Sequence, residues 1–202
     1  MKRWMIMVTM VTVAALSLAC VAFSGAGGST KPSGDFQITV DNKSPDEICY
    51  VFISESESQE WGDDRLGGEE TIASGASKTF DVSAGQHDVQ LETCDEVVMG
   101  TAWAVDKKTT LTAGERGATS RLLVDNTSDQ ELCYVFISLS SGGEWGDDRM
   151  GGSEIIPAGG KRIFYVKPGT YDLMVQNCDD ESLAERYEVD LTTDKTWTLS
   201  NE

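Results

Sequence analysis

Apolar and polar residues alternate along Phe36-x-Ile38-x-Val40 and again along Leu122-x-Val124, which predicts strands with one buried face. Ile48 to Ile53 and Leu132 to Ile137 are apolar without a break. Such a run predicts either a central strand covered on both faces or a strand whose second face the next loop overlies. Thr79–Val82, Ala84-Gly85 and His87–Cys94 read as strand, tight turn, strand. Further on, Lys167-Pro168-Gly169-Thr170 spells the same turn, and Pro-Gly predicts type II. Trp103 and Val105, then Tyr187, Val189 and Leu191, supply more alternating strands. Beyond the first 35 residues no helical period appears, so the pattern predicts an all-β protein.

The pattern is written twice. Cys49-Tyr50-Val51-Phe52-Ile53-Ser54 returns as Cys133-Tyr134-Val135-Phe136-Ile137-Ser138, and Glu60-Trp61-Gly62-Asp63-Asp64-Arg65 as Glu144-Trp145-Gly146-Asp147-Asp148-Arg149. Val40-Asp41-Asn42 returns as Val124-Asp125-Asn126, Phe80 as Phe164, Gly85 as Gly169 and Cys94 as Cys178. Every pair is 84 residues apart (Cys49 to Cys133, for example), with no insertion between. This is an internal duplication. Six or seven short strands in each copy predict two tandem small β-sandwiches of the Ig-like kind at 36–114 and 121–202, with 115–120 as the linker.

The first residues read as a targeting segment. Lys2 and Arg3 precede an apolar stretch from Trp4 to Ala19, the layout of a secretory signal. Leu16-Ser17-Leu18-Ala19-Cys20 resembles the end of a bacterial lipoprotein signal, with Ser17 where that signal usually has Leu. Residues 1–20 are therefore expected to be a signal peptide ending at a lipidated Cys20. Cleavage after Ser24 and an uncleaved anchor are the alternatives. The Gly/Ser-rich stretch that follows is expected to be a tether over 21–35.

Five cysteines leave one over, and Cys20 is that one. The other four allow three pairings. An ancestral single repeat had only its own two available, so Cys49–Cys94 and Cys133–Cys178 are expected. Each bridge would stabilise its small domain by roughly 4 kcal/mol in the chain-entropy model, and each needs an oxidising compartment.

The string CYVFIS, a Ser/Glu-rich loop, WGDD-x-[LM]-GG, a strand ending in Phe and a G-x-x-D strand resembles a widespread exported bacterial β-domain often attached to lipoproteins. The resemblance covers nearly all of both repeats. It implies an extracytoplasmic sandwich in the cell envelope and no established activity, so it assigns no catalytic residues. The Pro-Gly-Thr-Tyr turn also resembles prealbumin-type modules.

Charge narrows the partners. With 16 Lys plus Arg against 34 Asp plus Glu, the formal net charge is −18. Nucleic acid and anionic polymers would be repelled, which leaves neutral glycans, cations or basic proteins, besides the membrane that a lipid anchor would enter. The single histidine, His87, aligns with Tyr171, so no shared chemistry depends on it. No nucleophile or phosphate-loop motif appears, and no enzyme is expected. The chain reads as a non-catalytic binding or spacer module.

The WGDD loop is the most distinctive feature. Its structural reading makes Trp61, Asp63, Asp64 and Arg65, and Trp145, Asp147, Asp148 and Arg149, a loop anchor. The Trp would cover the apolar strand, the Gly would allow a tight turn, and an Asp would cap backbone N–H groups or pair with the Arg. The alternative is a calcium-dependent recognition module using Glu60, Asp63, Asp64 and Glu70, with Glu144, Asp147, Asp148 and Glu154. A fixed Arg beside the acid pair opposes a bound cation, so no cofactor is expected.

Overall fold

The computed structural model describes residues 36–201; the expected signal segment, Cys20 and the tether lie outside them. The chain is all-β. The first repeat holds β1 (Gln37–Asn42), β2 (Tyr50–Glu55), β3 (Ser77–Asp81), β4 (His87–Glu92), β5 (Val98–Val105) and β6 (Thr109–Ala113). The second holds β7 (Ser120–Asn126), β8 (Tyr134–Leu139), β9 (Lys161–Val166), β10 (Thr170–Gln176), β11 (Ser182–Asp190) and β12 (Lys195–Leu199). Each repeat stacks one three-stranded group on another: β3-β1-β6 on β5-β4-β2, and β9-β7-β12 on β11-β10-β8. Alternate residues of β1, Ile38 and Val40, meet Val51, Val89 and Leu91 of the opposing group in one core. Leu122, Val124, Val135, Leu173 and Val175 do the same in the second.

The repeated Val-Asp-Asn has a local cause. Asn42 ends β1 fully buried, donates to the carbonyls of Asp46 and Ile72 (2.7 and 2.8 Å), and accepts from Ser44 N and Oγ. Asn126 donates in the same way to the Gln130 and Ile156 carbonyls and accepts from Ser128. One buried side chain thereby ties the backbones of two loops together and has its own amide satisfied by them.

The continuous apolar runs are not central strands. β2 is the edge of its sheet, and the WGDD loop overlies its free side through a bridge from Asp64 to Phe52; Asp148 bridges Phe136 likewise. Disulfides join Cys49 to Cys94 and Cys133 to Cys178, with Cα atoms 4.9 and 5.0 Å apart. The turn at Pro168-Gly169 is not type II, because Gly169 is absent from the positive-φ glycines while Gly85 sits at φ 142°. The Tyr171 hydroxyl holds that turn instead, donating to the Lys167 carbonyl at 2.8 Å. His87, buried at the matching place, puts Nε2 at 3.0 Å from the Ser83 carbonyl. Histidine and tyrosine thus staple the same turn.

The repeats are not beads on a linker. β9 carries apolar residues on both faces: Phe164 and Val166 enter the core of its own repeat, while Ile163 and Tyr165 enter the core of the first. Leu123 of β7 packs against that first core as well. A parallel bridge between Val98 and Arg162 joins β5 to β9, making one six-stranded sheet, β12-β7-β9-β5-β4-β2.

Candidate functional site

The WGDD loop folds around one carboxylate. Asp64 Oδ1 accepts from Val51 N (2.9 Å) and Leu66 N (3.0 Å), and the Arg65 amide donates to the Val51 carbonyl. Asp148 repeats this with Val135 N and Met150 N. The buried plug of the loop is the next residue but one, Leu66 or Met150, each 7% exposed. The tryptophan is not part of the core: Trp61 is half-buried and packs tilted against Trp103 at 5.5 Å between ring centroids, and Trp145 packs tilted against Tyr187 at 5.9 Å. Nor does the arginine pair with the aspartates. Arg65 donates to the Asp81 carbonyl at 3.0 Å, and Arg149 reaches toward the Tyr165 carbonyl. Asp63 and Asp147 are exposed.

The carboxylates weighed for calcium are dispersed by these duties. Asp64 and Asp148 hold backbone amides, Glu70 pairs with Lys78, and Glu154 is buried against Arg162. Among the described residues, the group of three or more ligand-type side chains within reach of one ion is Glu47, Cys49 and Cys94, and its two cysteines are disulfide-bonded.

A bulge presents the partner aromatic. Ala104 and Glu188 lie at φ 52° and 53°, a conformation L-residues rarely adopt. Each is held by an aspartate on the neighbouring strand: Asp88 Oδ1 accepts from Ala104 N (2.9 Å) and Ser56 Oγ, and Asp172 Oδ1 accepts from Glu188 N (2.8 Å) and Ser140 Oγ. The Ser140 hydroxyl first, and the Glu188 amide second, hold the Asp172 carboxyl below the usual carboxylate range. The kinked strand turns Trp103 and Tyr187 outward onto the WGDD tryptophans.

Beside the first aromatic pair runs a groove of about 970 Å³ between the repeats. Trp61, Trp103, Gln90 and Thr101 come from the first repeat, and Glu154, Pro157, Lys161 and Arg162 from the second. Gly151 of the second WGDD loop abuts this wall; a Cβ there would lie 3.3 Å from Thr101 Oγ1 and 3.5 Å from Trp103 Cδ1. Thr101 Oγ1 is buried and has no hydrogen-bond partner among the described residues. The opposite wall is fixed by Glu154 Oε1, which accepts from Arg162 Nε at 2.5 Å, and by the Arg162 guanidinium over the Phe164 ring at 4.9 Å.

A second clamp locks the repeats. Asp46 takes a two-pronged ion pair from Arg121 and accepts from the Tyr165 hydroxyl at 2.7 Å. Burial, and then the bond to Asp46, raise the pKa of the Tyr165 hydroxyl, so it stays a donor throughout the physiological range. None of Asp46, Arg121, Tyr165, Trp103, Thr101 or Arg162 emerges from the repeat motifs. Their signal is the reverse of repetition: the matching residues are Gln130, Gln37, Asp81, Tyr187, Glu185 and Lys78.

No family model matches the chain, and no curated protein matches it. Two solved structures show a distant likeness. The TIE protein of Bacillus anthracis is 11% identical over 83% of this chain and 34% of its own, with a TM-score of 0.29. The shaft pilin SpaA of Lactobacillus rhamnosus GG is 9% identical over 83% of this chain and 98% of its own, with a TM-score of 0.26. The chain thus spans about a third of the length of the first.

Proposed function

We propose that this protein is a non-catalytic recognition module of the bacterial cell envelope, held to the membrane through a lipidated Cys20, whose inter-repeat groove binds a neutral glycan. The observation that carries the reading is the Trp61–Trp103 pair beside the groove's polar walls. Aromatic rings offer flat apolar faces to the C–H faces of sugar rings. Gln90 and the exposed Lys161 offer hydrogen bonds to sugar hydroxyls. Trp103 is 37% exposed, a large apolar side chain left partly in water where a ligand would cover it.

Two further observations agree. The disulfides need an oxidising compartment, as an exported protein would have. Acidity across the chain disfavours anionic polymers and leaves neutral glycans admissible. The one histidine is buried as a turn staple, which leaves no imidazole for acid–base work.

The reading is tested by titrating neutral oligosaccharides, cell-wall-derived and plant-derived, against the exported protein while tryptophan emission is recorded. Saturable quenching that disappears in Trp103→Ala is expected. A panel that gives no saturable change refutes the glycan. Mass spectrometry of the mature N-terminus tests the anchor: a diacylglycerol-modified Cys20 is expected, and an unmodified chain starting at Gly25 refutes it.

A further inference from the structure

The two repeats differ in what covers the flank between their fifth and sixth strands. In the first repeat Ile163 and Tyr165 fill that flank, joining the core that holds Ile48, Met99 and Ala113. Met99 is only 3% exposed as a result. In the second repeat the corresponding flank is an open groove of about 600 Å³ between β11 and β12. Its floor is Leu132, Leu183, Ala184 and Leu199, the counterparts of Ile48, Met99, Gly100 and Ala113. Leu183 stays half-exposed where Met99 is buried.

We infer that this groove seats a strand from another polypeptide, carrying two apolar side chains two residues apart, at least one of them aromatic. The chain itself supplies the precedent, because the equivalent seat in the first repeat holds such a strand, Ile163-Phe164-Tyr165, with its alternate residues inserted. A second copy of this chain does not fit. The outer face of its first repeat carries Thr79 and Asp81 where β9 has Ile163 and Tyr165, and Gln37 and Thr39 where β7 has Arg121 and Leu123. Thr79 and Asp81 are exposed and bonded to Thr39 and Gln37 of the same face, so head-to-tail growth would desolvate a polar surface with a carboxylate in it and insert no apolar side chain into the seat. The outer face of the second repeat is already spent on the first. The seat also differs in charge: Gln130 replaces Asp46, so the occupant has no need of the cation that Arg121 supplies at the first seat.

The test uses the full mature chain and a synthetic peptide of residues 160–167, GKRIFYVK. Its control is the same peptide with serine at the Ile163 and Tyr165 positions, which keeps the charge and so accounts for attraction to an acidic protein. Hydrogen–deuterium exchange is read along β11 and β12. The expected result is several-fold slower exchange at Leu183–Arg186 with the first peptide, none with the control, and loss of the effect in Leu183→Glu. The melting temperature of that variant establishes that it is folded, and Ala184→Glu serves in its place if it is not. Equal protection by both peptides, or none by either at millimolar concentration, overturns the inference. So does concentration-dependent self-association that Leu183→Glu or Ala184→Glu abolishes, because a second copy would then be the occupant. Neither readout involves the glycan groove, so this inference and the proposed function stand or fall separately.

Discussion

Replacing Asp64 separates a structural loop from a metal loop. Its Oδ1 accepts from Val51 N and Leu66 N, and both residues are buried, at 0% and 7% exposure. Asp64→Ala leaves two backbone N–H groups without an acceptor in a region water reaches poorly. At about 1–3 kcal/mol for each orphaned donor, the loss is about 3 kcal/mol. For a protein of this size, that corresponds to a fall of about 6–12 °C in melting temperature. Asp64→Asn keeps a carbonyl oxygen at the same place and should cost about 1 kcal/mol. Duplication supplies a built-in replicate, since Asp148 makes the same two bonds at 2.9 and 3.1 Å. Thermal unfolding followed by far-UV circular dichroism, with EDTA and with millimolar calcium, reads all of this. Alanine far below asparagine, and no shift with either additive, is the expected pattern. Asparagine as damaging as alanine, together with a calcium-dependent rise that Asp64→Asn removes, would refute the reasoning and return the loop to a metal.

Other expectations follow from the same geometry. Trp61→Ala should cost about 1–2 kcal/mol by chemical denaturation, less than a core tryptophan, because Trp61 is half-buried against Trp103. Tyr171→Phe should cost about 1 kcal/mol through the lost bond to the Lys167 carbonyl, measurable by urea unfolding. Ile163→Thr with Tyr165→Asp installs the first repeat's own residues at the junction and removes about 5 kcal/mol of apolar docking. Small-angle scattering should then show a larger radius of gyration, with faster exchange at Met99–Thr101. The Asp172 carboxyl is depressed by the bulge it holds, so its stabilisation is complete above the unfolded value of about 3.9 and is lost as pH falls through the lower folded value. Exchange of the Glu188 amide should accelerate over that acidic window, and Asp172→Asn should flatten the dependence.

What was legible in the sequence is what both copies keep. Alternation gave the strands because each sheet has one buried face, and the duplication selected the disulfide partners without geometry. Asp64 and Asp148 were among the residues singled out, but composition could not say which acid of the pair turns inward; a bridge to the neighbouring strand decides that. The apolar run at Ile48–Ile53 left two readings open, since an edge strand under a loop and a central strand have the same hydropathy. The junction between repeats was written in their differences. Thr79 against Ile163 and Asp81 against Tyr165 are changes from exposed polar to buried apolar at matched positions. That contrast marks a covered face, although which surface covers it depends on packing far apart in sequence. Alternation marks Trp103 as a strand residue and nothing more, because its exposure depends on the bulge at Ala104.

The most direct test asks whether the second repeat completes the binding groove. Trp61 and Trp103 both belong to the first repeat, while Glu154, Lys161 and Arg162 belong to the second. Isothermal titration with whichever neutral oligosaccharide saturates the native protein is repeated on the Ile163→Thr, Tyr165→Asp variant, which opens the junction without touching the aromatic pair. Binding should fall at least tenfold, a loss of about 1.4 kcal/mol. An affinity equal to that of the native protein, with the junction shown open by scattering, would contradict a site built by the tandem.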